Sequence, residues 1–134
     1  MEHPTNSKRI LVVEDEPAIA KVCTRTLSAE GFQVGIAVNG KVGLDMLRKK
    51  DYDLCLIDIR TPEMNGIELY QHLEEECPEA ANKVIFTTGD VLSDNYKPLL
   101  EKANRPYLPK PFTPDELRAI VRRVLGSIRS QTTV

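Results

Sequence analysis

The amino-acid sequence predicts an α/β protein built on a doubly wound, five-stranded parallel sheet. Three observations lead there. Ile10-Leu11-Val12-Val13 and Leu54-Cys55-Leu56-Ile57 are apolar throughout rather than alternating, as strands covered on both faces require. Amphipathic stretches follow the apolar runs five times along the chain. The junctions carry turn and capping residues such as Asn39-Gly40 and Thr113-Pro114. At 134 residues the chain fits one domain, and a domain of that size buries roughly two-thirds of the surface its unfolded chain exposes.

The elements follow in order. Ile10 to Val13 forms the first strand. Glu16-Pro17 opens a helix, with proline where a missing N–H costs nothing; Ile19, Val22, Cys23 and Leu27 form its inner face and Gly31 its stop. Val34 and Ile36 alternate with Gln33 and Gly35, the pattern of a less buried edge strand. Asn39-Gly40 turns into a second helix facing inward with Leu44 and Leu47. Leu54 to Ile57 is the third strand. A third helix runs from about Asn65 to Glu76 with Leu69 and Leu73 inside, and Pro78 marks its end. Val84-Ile85-Phe86 is the fourth strand and Tyr107-Leu108 the fifth.

Between those two strands lies the weakest helical signal. Ser93 or Asp94 could cap a fourth helix, but Pro98 cannot donate a helical hydrogen bond, so that helix is expected to be short or irregular. The last helix opens on Thr113-Pro114-Asp115-Glu116, a cap, a first-turn proline and a capping-box glutamate. Leu117, Ile120, Val121, Val124, Leu125 and Ile128 then trace one apolar stripe, with Arg118, Arg122 and Arg123 on a solvated face. The folded unit is expected over 8–129, with flexible tails at 1–7 and 130–134.

Composition narrows the function. The net charge of −2 argues against a nucleic-acid surface as the main business. No apolar run approaches the ~20 residues that span a bilayer, and Met1 to Ser7 lacks the layout of a signal peptide. Cys23, Cys55 and Cys77 are an odd number without metal-like spacing, consistent with a reducing cytoplasm. No P-loop or GxGxxG fingerprint occurs, which disfavours a nucleotide-binding enzyme.

In a doubly wound sheet, ligands bind beyond the carboxyl ends of the strands. There the sequence places Glu14 and Asp15 after strand one, Asp58 after strand three, Thr87, Thr88, Gly89 and Asp90 after strand four, and Lys110 after strand five. Taken singly, each has a bland reading: an acidic helix start, a turn former, a strand residue, a surface cation. Together they form a complementary set. Converging acids repel one another and raise their pKa values, a hard divalent cation relieves the repulsion, and aspartate is a nucleophile toward phosphoryl groups. The residues alone therefore point to a phosphate-handling carboxylate site.

Val12-Val13-Glu14-Asp15-Glu16, Asp58 through Gly66, Thr88-Gly89 and Lys110-Pro111-Phe112 resemble, in order, the landmarks of the receiver domains of bacterial two-component response regulators. The resemblance runs from about Lys8 to Arg129. It implies a flavodoxin-like (β/α)5 fold with strand order 2-1-3-4-5, and a phosphoacceptor switch rather than a metabolic enzyme. Asp58 would accept a phosphoryl group from a phosphohistidine on a sensor histidine kinase or a histidine phosphotransfer protein. Asp15, Asp58 and the backbone carbonyl of Arg60 would ligate Mg²⁺ (or Mn²⁺), with Glu14 assisting through water. Lys110 would pair with the acyl phosphate and Thr88 would swing to it, while Tyr107 moves inward. Lys110-Pro111 would be cis. The output surface would be the fourth helix, fifth strand and last helix, a face the resemblance also allows as a homodimer contact. Pro98 is expected to loosen the fourth helix.

Departures from the family pattern matter as well. Arg60 and Asp90 stand two residues after Asp58 and Thr88, where this family tunes the lifetime of the aspartyl phosphate; they are expected to pair across the site mouth. Thr61 stands where many relatives have Met and touches no proposed chemistry. An aspartyl-nucleophile phosphohydrolase would need a second aspartate where Arg60 stands. A docking-only pseudo-receiver would not need Glu14, Asp15, Asp58, Thr88 and Lys110 together. Only five residues follow Arg129, so the sequence reads as a stand-alone receiver or as one domain of a hybrid sensor kinase, which the segment Val84 to Asp90 resembles. The downstream partner is a protein not named by the sequence.

Overall fold

A computed structural model describes residues 8–89 and 97–132, with side chains in the last helix described through residue 127. Five parallel strands form one sheet in the order β2-β1-β3-β4-β5. They are β1 (Arg9–Val13), β2 (Gln33–Ala37), β3 (Leu54–Asp58), β4 (Val84–Thr88) and β5 (Tyr107–Pro109). The helices are α1 (Pro17–Ala29), α2 (Gly40–Lys49), α3 (Gly66–Glu76), α4 (Lys97–Ala103) and α5 (Pro114–Thr132), with one further helical turn at Pro78–Ala81. The α/β doubly wound class expected from the sequence is the observed one, and so is the strand order implied by the resemblance.

The uninterrupted apolar runs have a direct structural reason. Successive residues of a strand point to opposite faces, and here each face has its own core. Leu11, Val13, Cys55, Ile57 and Phe86 pack beneath α2, α3 and α4. Ile10, Val12, Leu56 and Ile85 pack beneath α1 and α5. Both faces of β1 past Arg9, and of β3 and β4, are dry, so no position there is free to be polar until the carboxyl end. The edge strand β2 is only partly buried, in keeping with its alternating sequence.

Caps fix the helix starts. Asn39 accepts from the Val42 N–H at 2.8 Å, which makes Asn39-Gly40 a cap and first helical residue rather than a separate turn. Asn65 and Glu68 form a reciprocal capping box at α3, as Thr113 and Glu116 do at α5. Glycine at 66 is required by packing: a Cβ there would lie 2.6 Å from the Asp58 carbonyl oxygen, so only glycine lets α3 start against the end of β3.

Several details differ from the sequence reading. Val22 is 39% exposed, and Thr26 takes the buried place on α1, its neighbours Cys23 and Leu27 being buried as expected. Pro78 does end α3, but it also begins the extra helical turn, whose Ala81 is buried. Arg118 and Arg122 are not merely solvated, since they pair with Asp115 and Glu30. The α5 helix runs on through Thr132, past the expected boundary at Arg129. The described part of helix α4 spans Lys97–Ala103 and includes Pro98; the capping candidates Ser93 and Asp94 lie outside the described residues, as does the side chain of Ile128.

Burial pushes the thiols of Cys23 and Cys55 up to about 12, whereas Cys77 is exposed. A thiolate-selective reagent at neutral pH is expected to modify Cys77 alone in the native protein and all three cysteines after denaturation. Mass mapping that found Cys55 modified at the native rate of Cys77 would contradict this packing.

Candidate functional site

The chain order reverses between β1 and β3, and the side chains at the carboxyl ends of those strands converge. One carboxylate oxygen from each of Glu14, Asp15 and Asp58 lies within 4.8 Å of the others. Glu14 and Asp58 are buried, and Asp15 is exposed. Glu14 is fixed by its own backbone, whose N–H donates to the Ala37 carbonyl at 2.9 Å. Its side chain accepts from the Glu16 N–H at 3.0 Å. Asp58 ends β3, and its Oδ1 accepts from the Arg60 N–H at 3.3 Å.

Lys110 supplies the opposing charge from β5's far end. Its Nζ lies 2.9 Å from Glu14, 3.0 Å from Asp58 and 3.5 Å from Glu16. Its backbone N–H donates to the Thr88 carbonyl at 2.8 Å, which anchors the lysine to the end of β4, and Lys110-Pro111 is cis as the resemblance implied. Burial alone would lower the Lys110 pKa, but hydrogen bonds and charge attraction from Glu14 and Asp58 outweigh it and hold the ammonium above its ordinary value. Burial raises Glu14, and the Asp58 charge adds to that, against the opposing bonds from Lys110 and the Glu16 N–H.

The other expected members fall as follows. Thr88 is buried at the last position of β4, one residue beyond Thr87, which is paired in register with Asp58. Tyr107 opens β5 opposite Phe86 and is 46% exposed. Arg60 is exposed beside the site, and Asp90, its expected partner, lies outside the described residues. Thr61 shapes the loop: its hydroxyl donates to the Met64 carbonyl at 2.7 Å. Glu63 takes a φ of 70° in the same loop, where Met64 N–H donates to Pro62 at 2.8 Å in a tight γ-turn. The sequence reading missed Glu16, whose contact with Lys110 makes it a fourth acid on the rim. Its signal was the unbroken Glu14-Asp15-Glu16 triplet, which a helix start also explains.

Three carboxylates with oxygen donors only, two of them buried and one open to water, fit a hard divalent cation. A doubly wound sheet in the order 2-1-3-4-5 with an acidic cluster and a lysine at its switch point has the flavodoxin-like fold, in which ligands bind at that place. Comparison with known proteins narrows this further. Residues 10–122 match the family model of the response regulator receiver domain, and the chain belongs to that family, the phosphoacceptor switches of two-component signalling.

The transcriptional regulatory protein PcoR of Escherichia coli is 38% identical over 125 residues, covering 92% of this chain and 54% of PcoR. The chain thus spans about half the length of the curated relatives it matches. Among solved structures, a CheY-like receiver domain protein from Methanospirillum hungatei JF-1 superposes with a TM-score of 0.85 at 30% identity, covering 94% of this chain and 99% of that one. Response regulator TrrA from Thermotoga maritima, solved in complex with Mg²⁺-BeF, gives 0.75 at 33% identity over 87% and 98%. Among the described residues no helix is long and apolar enough to cross a membrane.

Proposed function

We propose that this receiver accepts a phosphoryl group onto Asp58 from a phosphohistidine on a sensor histidine kinase or a histidine phosphotransfer protein. The observation that carries the reading is the buried Asp58 carboxylate at the switch point with the Lys110 ammonium 3.0 Å away. An Asp58 oxygen forms the new bond to phosphorus as the phosphorus–nitrogen bond breaks and its electron pair leaves with the imidazole. Glu14, Asp15, Asp58 and the carbonyl of Arg60 would hold Mg²⁺ (or Mn²⁺), which supplies positive charge for the phosphoryl oxygens when bound. The Mg²⁺-BeF complex of TrrA supports that assignment. Lys110 binds the transferred oxygens as a point cation, and the Thr88 hydroxyl, at the neighbouring strand end, donates to them.

The product adds charge and acceptor oxygens beside Lys110 and Thr88, and that local change biases the surface made by α4, β5 and α5. Tyr107, exposed on β5, is the side chain that would turn inward. The same face is the proposed contact for a downstream protein partner or a second copy of the chain. Self-dephosphorylation resets the switch, with Arg60 and Asp90 governing access of water. The three cysteines, free in the structure, suit action in the reducing cytoplasm.

Incubation with Mg²⁺ and acetyl phosphate, read by intact mass, is expected to add one phosphoryl group, and EDTA should prevent it. A chain that gains nothing and also fails to bind beryllofluoride with Mg²⁺ would instead be a docking module without phosphoacceptor activity.

A further inference from the structure

The Lys110 ammonium is shared by three carboxylates, and the third, Glu16, belongs to no ligand set described above. Glu16 Oε1 lies 3.5 Å from Lys110 Nζ, with 62% of the Glu16 side chain exposed. Its backbone is fixed at the start of α1, where its N–H donates to Glu14. Glu16 and Lys110 also line one groove of about 480 Å³ whose other walls include Ile19, Val22, Pro111 and Phe112. A phosphoryl group that binds Lys110 lies beside the Glu16 carboxylate and competes with it for the ammonium.

We infer that Glu16 is a charge filter for the phosphodonor, disfavouring small polyanionic acyl phosphates relative to donors whose phosphoryl group leaves from nitrogen. The inference rests on Asp58 as the phosphoacceptor and adds the donor class. In every case an Asp58 oxygen bonds to phosphorus. With acetyl phosphate the phosphorus–oxygen bond breaks and the electron pair departs with acetate, so one anion enters past Glu16 and another leaves. With phosphoramidate, as with phosphohistidine, the phosphorus–nitrogen bond breaks and the pair stays on nitrogen, which takes up a proton and leaves without negative charge. A like charge 3.5 Å from the ammonium that receives the phosphoryl oxygens, partly screened by water, changes such encounters several-fold. Glu16 therefore acts on the approach of the donor and on the availability of Lys110, as a specificity-determining residue.

The test compares second-order rate constants for acetyl phosphate and phosphoramidate, at saturating Mg²⁺, in the wild type, Glu16→Gln and Glu16→Asp. Glu16→Gln is expected to shift the ratio toward acetyl phosphate by about three- to tenfold, and by less as ionic strength rises. Glu16→Asp keeps the charge and is expected to keep the wild-type ratio. A ratio unmoved by Glu16→Gln, or moved as far by Glu16→Asp, overturns the filter while leaving the role of Asp58 standing. A wild type that takes up phosphoryl from neither donor overturns the filter, and one that also fails to bind beryllofluoride with Mg²⁺ overturns the phosphoacceptor reading with it.

Discussion

Asp58→Asn is expected to abolish phosphoryl uptake: intact mass after acetyl phosphate and Mg²⁺ should show no added group, under conditions that load the wild type. The amide is a poor nucleophile, and the change also removes one of the three carboxylate charges that converge on the cation position. The fold should survive. Asp58 ends β3 with its backbone in the sheet, and Lys110 keeps Glu14 as a partner at 2.9 Å. Relief of repulsion between Asp58 and Glu14 offsets the lost bond to Lys110, so unfolding free energy without metal should lie within about 1 kcal/mol of the wild type. A variant that folds and still gains a phosphoryl group would place the acceptor on another residue, which peptide mapping would find.

Lys110→Ala has the opposite balance and should be costly to the fold as well as to the chemistry. The lysine side chain is 13% exposed and sits between two carboxylates that are 3% and 6% exposed. Removing it leaves two buried acids facing each other with no cation, a change that costs about 3 kcal/mol in comparable sites. In EDTA the variant should therefore unfold at clearly lower denaturant. Millimolar Mg²⁺ should restore more stability to it than to the wild type, because the metal then supplies the positive charge that the lysine gave the buried acids. Phosphoryl uptake should still fall about 100-fold at saturating Mg²⁺, since the metal does not replace the point cation aimed at the phosphoryl oxygens. Equal Mg²⁺ dependence in the two proteins would mean that the lysine does not balance the acids.

Much of this was legible beforehand, for local reasons. The runs at Ile10–Val13 and Leu54–Ile57 declare buried parallel strands because both faces of such strands must be apolar. Thr113 with Glu116 announces a helix start because a cap is satisfied within four residues. The acids and the lysine could be gathered into one site because strand ends in a doubly wound sheet share a rim.

The same local signals misplaced Val22, since helical spacing marks a stripe but not its width. Whether a stripe's edge is covered depends on which helix lies next to it, and α1 leaves Val22 at the open groove beside Phe112.

By itself, then, the sequence determined the α/β repeat, the strand cores, the cap at Thr113 and which residues stand at the strand ends, all of them features encoded over a few neighbouring residues. Only the tertiary structure decided which charge meets which. Lys110 lies 52 positions from Asp58, and their 3.0 Å contact exists because β1 and β5 flank β3 and β4 and the strand ends come into register. The third carboxylate on Lys110 and the division of the helices between two faces have the same origin. Each is a contact between segments far apart in the chain, and sequence periodicity carries no information about distance across the fold.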